Sequence, residues 1–555
     1  MTFWRSHDAQ TLRGPIALLL IIAVAVALRL PGLGRDLVTD EALSLFVARG
    51  TSAATRVVPN GPEFTVADFM RDGGWGESLR AMSHSERTPP LYYLLLRVWI
   101  RGFGDSNQSV RLLSVSFAIA TIPALFLLAR AATDARTGLA AAGILAILPL
   151  HLQYSQEVRA YTLAILLLTL ATWAYWRGLQ TITRPNEIRY WLLYTGLAAA
   201  SLYTHYFAAG VLIGHGVWAM VGPGVPRIEL LKRLAVIACV LTMLLLPWLV
   251  SPYFHDQLAL NTMYPDAPGD QSTSILRRFV AAIGISTTYL LAGGLPGIQL
   301  KSMRGLVMSI LCIIGSAIML NELRYRVRRH SVIFSFLLFI IPIIFMIILA
   351  IPLGYSSYYD AAPRFALFAT IGFCLLLGRM IISARHAMMS VAVIALVSVL
   401  SFNFQTVFSQ AYSASYRPGF GVWALGNVSP VVAELNRIAS HNDLTIFDDD
   451  HLMCVWNAYQ TRHLQQIYMS RTPWFLNDPA SFEGRWSQVD RDHPSIFFVR
   501  RAESPPGELM HLLEASYVRQ SSTIVERLEI LHYRQSAGRR GVGPPPDAAV
   551  APAGG

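Results

Sequence analysis

The chain has 555 residues, 54% of them hydrophobic and only 14% charged, against roughly 25% charged residues in an ordinary soluble domain. Its formal charge is +11. Because uncharged stretches long enough to cross about 30 Å of hydrocarbon recur along it, that excess reflects basic cytoplasmic loops and argues against a nucleic-acid partner. Four scattered cysteines (Cys239, Cys312, Cys374 and Cys454) provide neither a disulfide framework nor a paired-thiol metal site.

Arg5 and Arg13 precede an apolar run from Pro15 to Leu33 with no small-residue cleavage motif after it. This predicts a retained first span with its N-terminus inside. The polar segment 34–111 is too long for a plain connector and is expected to be a functional extracytoplasmic loop. Within it, Pro89 to Phe103 is apolar but short and carries Arg97 and Arg101, which predicts a helix lying in the membrane interface.

A span from Leu112 to Ala129 leads to the basic turn Arg130 to Arg136, placed inside. Spans near 138–152, 161–177, 190–204, 207–221 and 234–250 then leave 153–159 and 203–206 outside. The stretch Phe279 to Pro296 is read as a surface helix, because a crossing there would put Arg324, Arg326, Arg328 and Arg329 outside. Spans near 303–320, 332–352, 364–379 and 387–404 complete a total of about eleven transmembrane helices. Residues 1–404 thus form an α-helical polytopic membrane domain. Residues 405–535 are polar, with strand-like runs at 444–447 and 495–499 and helical stretches at 431–438 and 508–513, and are expected to form a small extracytoplasmic α/β domain. The Gly-, Pro- and Ala-rich tail 536–555 reads as disordered.

The spans are chemically bland. Notable polar residues gather in segments assigned to the outer face: Asp40, Glu41, Glu86, Arg111, Glu157, Arg159, His205, Tyr358 to Asp360, and Arg364. One-sided clustering suits a reaction site at the interface better than a path through the midplane. A carboxylate can take the proton of an attacking hydroxyl, and arginines can grip a phosphate leaving group through paired, charge-assisted donors. No Gly-rich phosphate loop follows a strand, so a soluble nucleotide donor lacks support. Each residue also has a plainer reading. Asp40 can cap a helix, Arg111 can snorkel at a helix end, and Glu157 with Arg159 can be a loop pair. Arg364 has a structural reading as readily as a functional one. His205 can belong to an aromatic belt, Tyr92 and Tyr93 can pack at the interface, and Asp448 to His451 reads as a solvated turn before a metal cluster.

The elements Asp40-Glu41-Ala42-Leu43-Ser44, Pro89 to Leu96, and Tyr154 to Tyr161 resemble the signatures of GT-C fold glycosyltransferases. The branch in question includes the protein O-mannosyltransferases and the aminoarabinose transferases that modify lipid A. Leu202 to Phe207 and Pro363-Arg364-Phe365 resemble further positions of that family. The resemblance implies an enzyme of the inner membrane that takes a sugar from a polyprenyl phosphate on the extracytoplasmic side, with inversion, onto a glycan, lipid or protein hydroxyl. It implies Asp40 as catalytic base, Glu41 as the residue that orients Asp40 or the acceptor, and Glu157 as a supporting acid. Arg111, Arg159 and Arg364 become donor-phosphate ligands, with Tyr92, Tyr93 and His205 lining the substrate. No cofactor is required, and a divalent ion bridging phosphate and carboxylate is compatible with the chemistry without a His/Cys set arguing for one. Thr88 stands where many relatives have His before Pro-Pro-Leu-Tyr-Tyr, which puts any contact made by that His in question. The alternatives are a flippase or transporter of lipid-linked sugars, and a scaffold that has lost catalysis.

Overall fold

A computed structural model describes residues 13–51, 60, 62–70, 72–182, 188–222, 226–263, 326–350, 366–383, 427–447, 449–469, 482–504 and 507–535. The chain divides into two compact units, residues 1–55 with 70–424 and residues 56–69 with 425–555.

The first unit is helical and makes the chain a multi-pass membrane protein. Among the described residues, four helices are long and apolar enough to cross a bilayer: Asn107–Ala132, Tyr161–Gln180, Arg227–Leu249 and His330–Ile348. Four shorter apolar helices accompany them, at Gly14–Arg29, Ala135–Ile147, Ala208–Val221 and Leu367–Ile382. The spans expected near 303–320 and 387–404, and the surface helix expected at 279–296, lie outside the described residues.

The helices share one apolar core that includes Ile122, Leu125, Leu145, Leu168, Tyr175, Trp218, Phe334, Leu338 and Leu375. Ile228, Leu192 and Met243 are instead 65–75% exposed, an arrangement that lipid tolerates and water does not. Small residues set the closest approaches, as expected between helices in a bilayer. A Cβ on Gly372 would lie 2.3 Å from the Phe339 nitrogen, and one on Gly378 would lie 2.9 Å from the Ala141 nitrogen.

One expected span is corrected. The run 138–152 is not continuous: a helix ends at Ile147, Leu148 is extended, and a second short helix, Pro149–Ser155, begins with proline at its first position. Proline lacks the N–H needed inside a helix but suits a helix start. This break turns the chain so that 156–160 forms a tight connection before the Tyr161–Gln180 helix.

The stretch from Pro89 is a 13-residue helix, Leu91–Phe103, about 20 Å long and too short to cross. It buries Tyr92, Tyr93, Leu96 and Arg97 and exposes Val98 and Phe103.

The second unit is built on a five-stranded sheet, in the order β2-β1-β3-β5-β4. Its strands are β1 (Leu444–Phe447), β2 (Gln465–Tyr468), β3 (Ser495–Arg501), β4 (Tyr517–Val525) and β5 (Leu528–Gln535). β1 runs parallel to β2 and β3, whereas β5 is antiparallel to β3 and β4. The sheet core is apolar, with Leu444, Ile446, Ile467, Ile496, Phe498 and Leu531 buried. Part of the first long loop belongs to this unit. Phe64 pairs with Gln466 through both backbone bonds (2.9 Å each), and Asn60 N–H donates to the Tyr468 carbonyl at 2.9 Å. The segment around Phe64 thereby covers the outer edge of β2, which an open sheet edge requires. Asp449 caps the Asp450–Tyr459 helix through Leu452 N–H (3.0 Å) and pairs with Arg501 (2.9 Å). No group of three metal-capable side chains occurs among the described residues.

Candidate active site

The segment after the first helix turns into a second helix, Thr39–Arg49, whose first turn carries Asp40 and Glu41. Negative charge there complements the unpaired N–H groups of a helix start. Val38 stands at the N-cap, and its N–H donates to Glu41 Oε2 at 3.0 Å. Glu41 therefore does the capping, and Asp40 lies inside the helix with its carboxylate not used as the cap.

Glu41 and Arg111 form a fully buried bidentate pair. Arg111 Nε donates to Oε1 at 2.9 Å and Nη2 to Oε2 at 2.6 Å. The remaining donors of Arg111 go to backbone carbonyls: Nη1 to Leu33 (2.8 Å) and Arg35, and Nη2 to Asp36 (2.9 Å). A guanidinium has five N–H donors, and here all five are spent. This revises the expectation for Arg111. It is not a ready phosphate ligand, because a phosphate would have to displace bonds that shape residues 33–41.

The same carboxylate reaches the second loop, since Val158 N–H donates to Glu41 Oε1 at 3.3 Å. Gln156 Nε2 donates to the carbonyls of Arg29 and Pro31, each at 3.0 Å. Arg29, itself fully buried, donates to the carbonyl of Ala146 (2.8 Å) and to His151 Nδ1 (2.9 Å). The two acid-bearing segments, 36–44 and 156–160, are thus tied together.

Arg159 is arranged differently from Arg111. Its side-chain bonds to described residues all run through Nη1: a short bond to Glu86 Oε1, with Ser44 Oγ at 3.4 Å and the Asp40 carbonyl at 3.5 Å. Among described residues, Nε and Nη2 make no further hydrogen bond, so the guanidinium keeps donor capacity. Burial works against its charge, but Glu86 first, then Tyr93, Asp40 and Tyr161, outweigh that and hold the guanidinium firmly protonated. Burial holds the Glu86 carboxyl above the usual carboxylate range, with Arg159 opposing and the Asp40 charge adding to the rise.

Glu41, Glu86, Glu157 and Arg159 are all buried, whereas Asp40 is half-buried. Asp40 is therefore the least buried acid of this group. Glu157 is close enough to Tyr92 for its charge to act on that phenol. Tyr92 and Tyr93 are fully enclosed: Tyr92 bonds Ser114 Oγ at 2.8 Å, and Tyr93 bonds Thr88 Oγ1 at 2.9 Å and also reaches Glu86. They back the site from behind and do not line an open surface. Thr88 thus serves as partner to Tyr93.

His205 is buried against Tyr161 (5.6 Å between centroids), Phe207 and Phe368 and is not an exposed belt residue. Its Nδ1 accepts from Phe207 N–H at 3.2 Å, which leaves the proton of the neutral ring on Nε2. Burial, then the Arg159 charge, push its pKa down to about 3. Arg364 lies outside the described residues.

Two further residues hold the site. Gln257 Nε2 donates to the carbonyls of Glu86 and Thr88, each at 3.0 Å. Arg97 donates to the carbonyls of Ala48 (2.8 Å) and Gly73, to Ser78 Oγ (2.9 Å) and to Asp72 (3.1 Å), tying the Leu91–Phe103 helix to the Asp40 helix. The sequence offers no local signal for Gln257. Arg97 stands out in sequence as a charge in an apolar stretch, which predicts an interfacial position, whereas the structure buries it.

Residues 87–251, which span Tyr92, Arg111, Glu157, Arg159 and His205, match the protein family described as dolichyl-phosphate-mannose-protein mannosyltransferase. The crystal structure of ArnT from Cupriavidus metallidurans in the apo state is similar with a TM-score of 0.57 and 12% identity, over 94% of this chain and 98% of that one. Its undecaprenyl phosphate complex is similar with a TM-score of 0.54 and 11% identity, over 96% and 100%. The archaeal oligosaccharyltransferase AglB from Archaeoglobus fulgidus, in complex with an inhibitory peptide and a dolichol-phosphate, has a TM-score of 0.50 and 11% identity, over 96% of this chain and 75% of that one. No curated protein matches in sequence. At these identities the likeness establishes the fold.

Proposed function

Because this chain has the GT-C fold of membrane glycosyltransferases, we propose that it transfers a sugar from a polyprenyl-phosphate donor to a hydroxyl on an acceptor glycan, lipid or protein. The observation that carries the reading is the juxtaposition of one half-buried acid, Asp40, whose charge acts on a buried arginine, Arg159, that keeps Nε and Nη2 unused among the described residues. Two of the similar structures were solved with a polyprenyl or dolichyl phosphate bound.

Asp40 takes the proton of the acceptor hydroxyl while that oxygen attacks the anomeric carbon from the face opposite the phosphate. The bond from the anomeric carbon to the phosphate oxygen breaks, the configuration inverts, and the lipid phosphate leaves with the bonding pair. Arg159 offsets the charge that builds on the phosphate, a contribution that is large in an enclosed site. Glu41 and Arg111 hold Asp40 in place without touching the reacting atoms, and Glu157 supports the same wall. The catalytic face lies on the extracytoplasmic side of the inner membrane. The chemistry requires no cofactor, and activity unchanged by a chelator is expected.

The test is transfer from a radiolabelled polyprenyl-phosphate sugar by the purified protein in detergent, with envelope extracts as acceptor. Labelled product without any sealed membrane is expected. Movement of the donor across sealed vesicles with no product in detergent would instead make the protein a flippase.

A further inference from the structure

Glu86 is a buried acid with no part in the chemistry above, yet it holds the arginine on which that chemistry depends. Its Oε1 accepts from Arg159 Nη1 in the site's shortest ion pair, and it is 3% exposed. Its backbone cannot easily retreat, because Gln257 clamps the carbonyls of Glu86 and Thr88.

The groups facing its carboxylate are Arg159, Asp40 from the Thr39–Arg49 helix, and Tyr93 from the Leu91–Phe103 helix. On the neighbouring Pro252–Met263 helix, Asp256 is turned to His84 (3.8 Å) and Ser83 (3.4 Å). Among the described residues, one buried cation therefore faces two carboxylates before any substrate arrives. A lipid phosphate on the same guanidinium would bring a third negative charge, and three anions around one cation in a buried site cannot all stay ionised.

Resting on the proposed reading of Arg159 as the phosphate ligand, we infer that Glu86 is a placeholder anion. It neutralises Arg159 while the site is empty, and on arrival of the donor phosphate it gives up that bond and takes one proton from water. The neutral acid then keeps a hydrogen bond with Tyr93, already within reach. The balance is simple: one phosphate monoanion and one proton enter together, and no covalent bond changes. Glu86 is a positioning residue that sets donor affinity, and Asp40 remains the base. Burial already holds the Glu86 carboxyl above its usual range, with Arg159 opposing that rise, so losing the Arg159 bond shifts the balance further toward the protonated acid.

The test uses the full chain in detergent and a methyl diester of undecaprenyl phosphate, which remains a monoanion throughout the range and so adds no titration of its own. Calorimetry at pH 7 in two buffers of different ionisation heat counts the protons. Uptake approaching one proton per lipid bound is expected, with affinity rising as pH falls, at most tenfold per pH unit. In Glu86→Gln the uptake should vanish, and binding at pH 8 should be tighter than in the unaltered protein. Binding without proton uptake in the unaltered protein overturns the inference and leaves the glycosyltransferase reading standing. Weaker binding by a Glu86→Gln protein of normal melting temperature also overturns it. Failure of the unaltered protein to bind the lipid phosphate at all defeats both.

Discussion

Replacing Arg111 by Met removes five donors from a site where the arginine and its partner Glu41 are both 0% exposed. Breaking one half of a buried ion pair costs about 3–5 kcal/mol, because the other charge is left uncompensated. The carbonyls of Leu33, Arg35 and Asp36 lose a donor as well, at about 1–3 kcal/mol for each one that water cannot reach. These costs overlap and do not add, but together they compare with the whole 5–15 kcal/mol that holds a typical domain folded. Arg111→Met should therefore accumulate poorly and melt far below the unaltered protein. Glu41→Gln should lose about 3–5 kcal/mol. Glu41→Leu with Arg111→Met should recover part of the loss, since no lone charge remains, but not all of it, since the carbonyls stay unpaired. The assay is a melting curve in detergent for each variant, followed by lipid-phosphate affinity of the folded fraction. An Arg111→Met protein with normal melting and at least tenfold weaker lipid-phosphate binding would refute the reasoning and restore Arg111 as a phosphate ligand.

Other expectations follow from the same contacts. His205 titrates near 3 when folded and near 6.5 when unfolded. Its contribution is therefore complete above about pH 6.5 and is lost as pH falls toward 3, by up to roughly 1.4 kcal/mol per pH unit; melting temperatures from pH 4 to 8 should fall less steeply in His205→Phe, and equal slopes would count against the burial argument. Gln257→Leu should lower stability by about 1–3 kcal/mol and slow transfer by loosening the Glu86–Thr88 turn; a normal rate with normal melting would separate that turn from the site. Gly372→Leu forces a side chain against the backbone of Leu338 and Phe339 and should cost at least about 1–3 kcal/mol, read as a lower melting temperature, whereas unchanged melting would mean the helices can part there.

Much of the site was legible because its chemistry needs rare residue types. An acid pair just after the first span and an acid with an arginine before the Tyr161–Gln180 helix stand out in an apolar chain, and the structure brings them together. The arginines were harder to tell apart. Arg111 and Arg159 look alike in sequence, and what distinguishes them is that Arg111 is consumed by backbone carbonyls, which carry no residue signature. Glu86 was visible as a polar residue, but its pairing with Arg159 joins positions 73 residues apart. Gln257 lies 171 residues from the carbonyl it holds, so local pattern could not reveal it. Strands β1 and β3 announced themselves as β-branched and aromatic runs, whereas β4, with Arg519, Gln520, Ser521 and Ser522 in its middle, did not. The break at Leu148-Pro149 has its signal in the proline, but the apolar run continues on both sides of it and masks the interruption. The segment around Phe64 joins the second unit through backbone bonds, to which sequence is blind, and through Glu63, which pairs with Arg485 and His493 at separations of 422 and 430 residues.

The base role of Asp40 is tested most directly by comparing the unaltered protein with Asp40→Asn in single-turnover transfer from a labelled polyprenyl-phosphate sugar. Loss of a general base predicts at least about a 10²–10⁴-fold slower chemical step, with melting temperature and donor affinity close to those of the unaltered protein. Transfer at the full rate by Asp40→Asn would contradict the assignment and move the base elsewhere in the site.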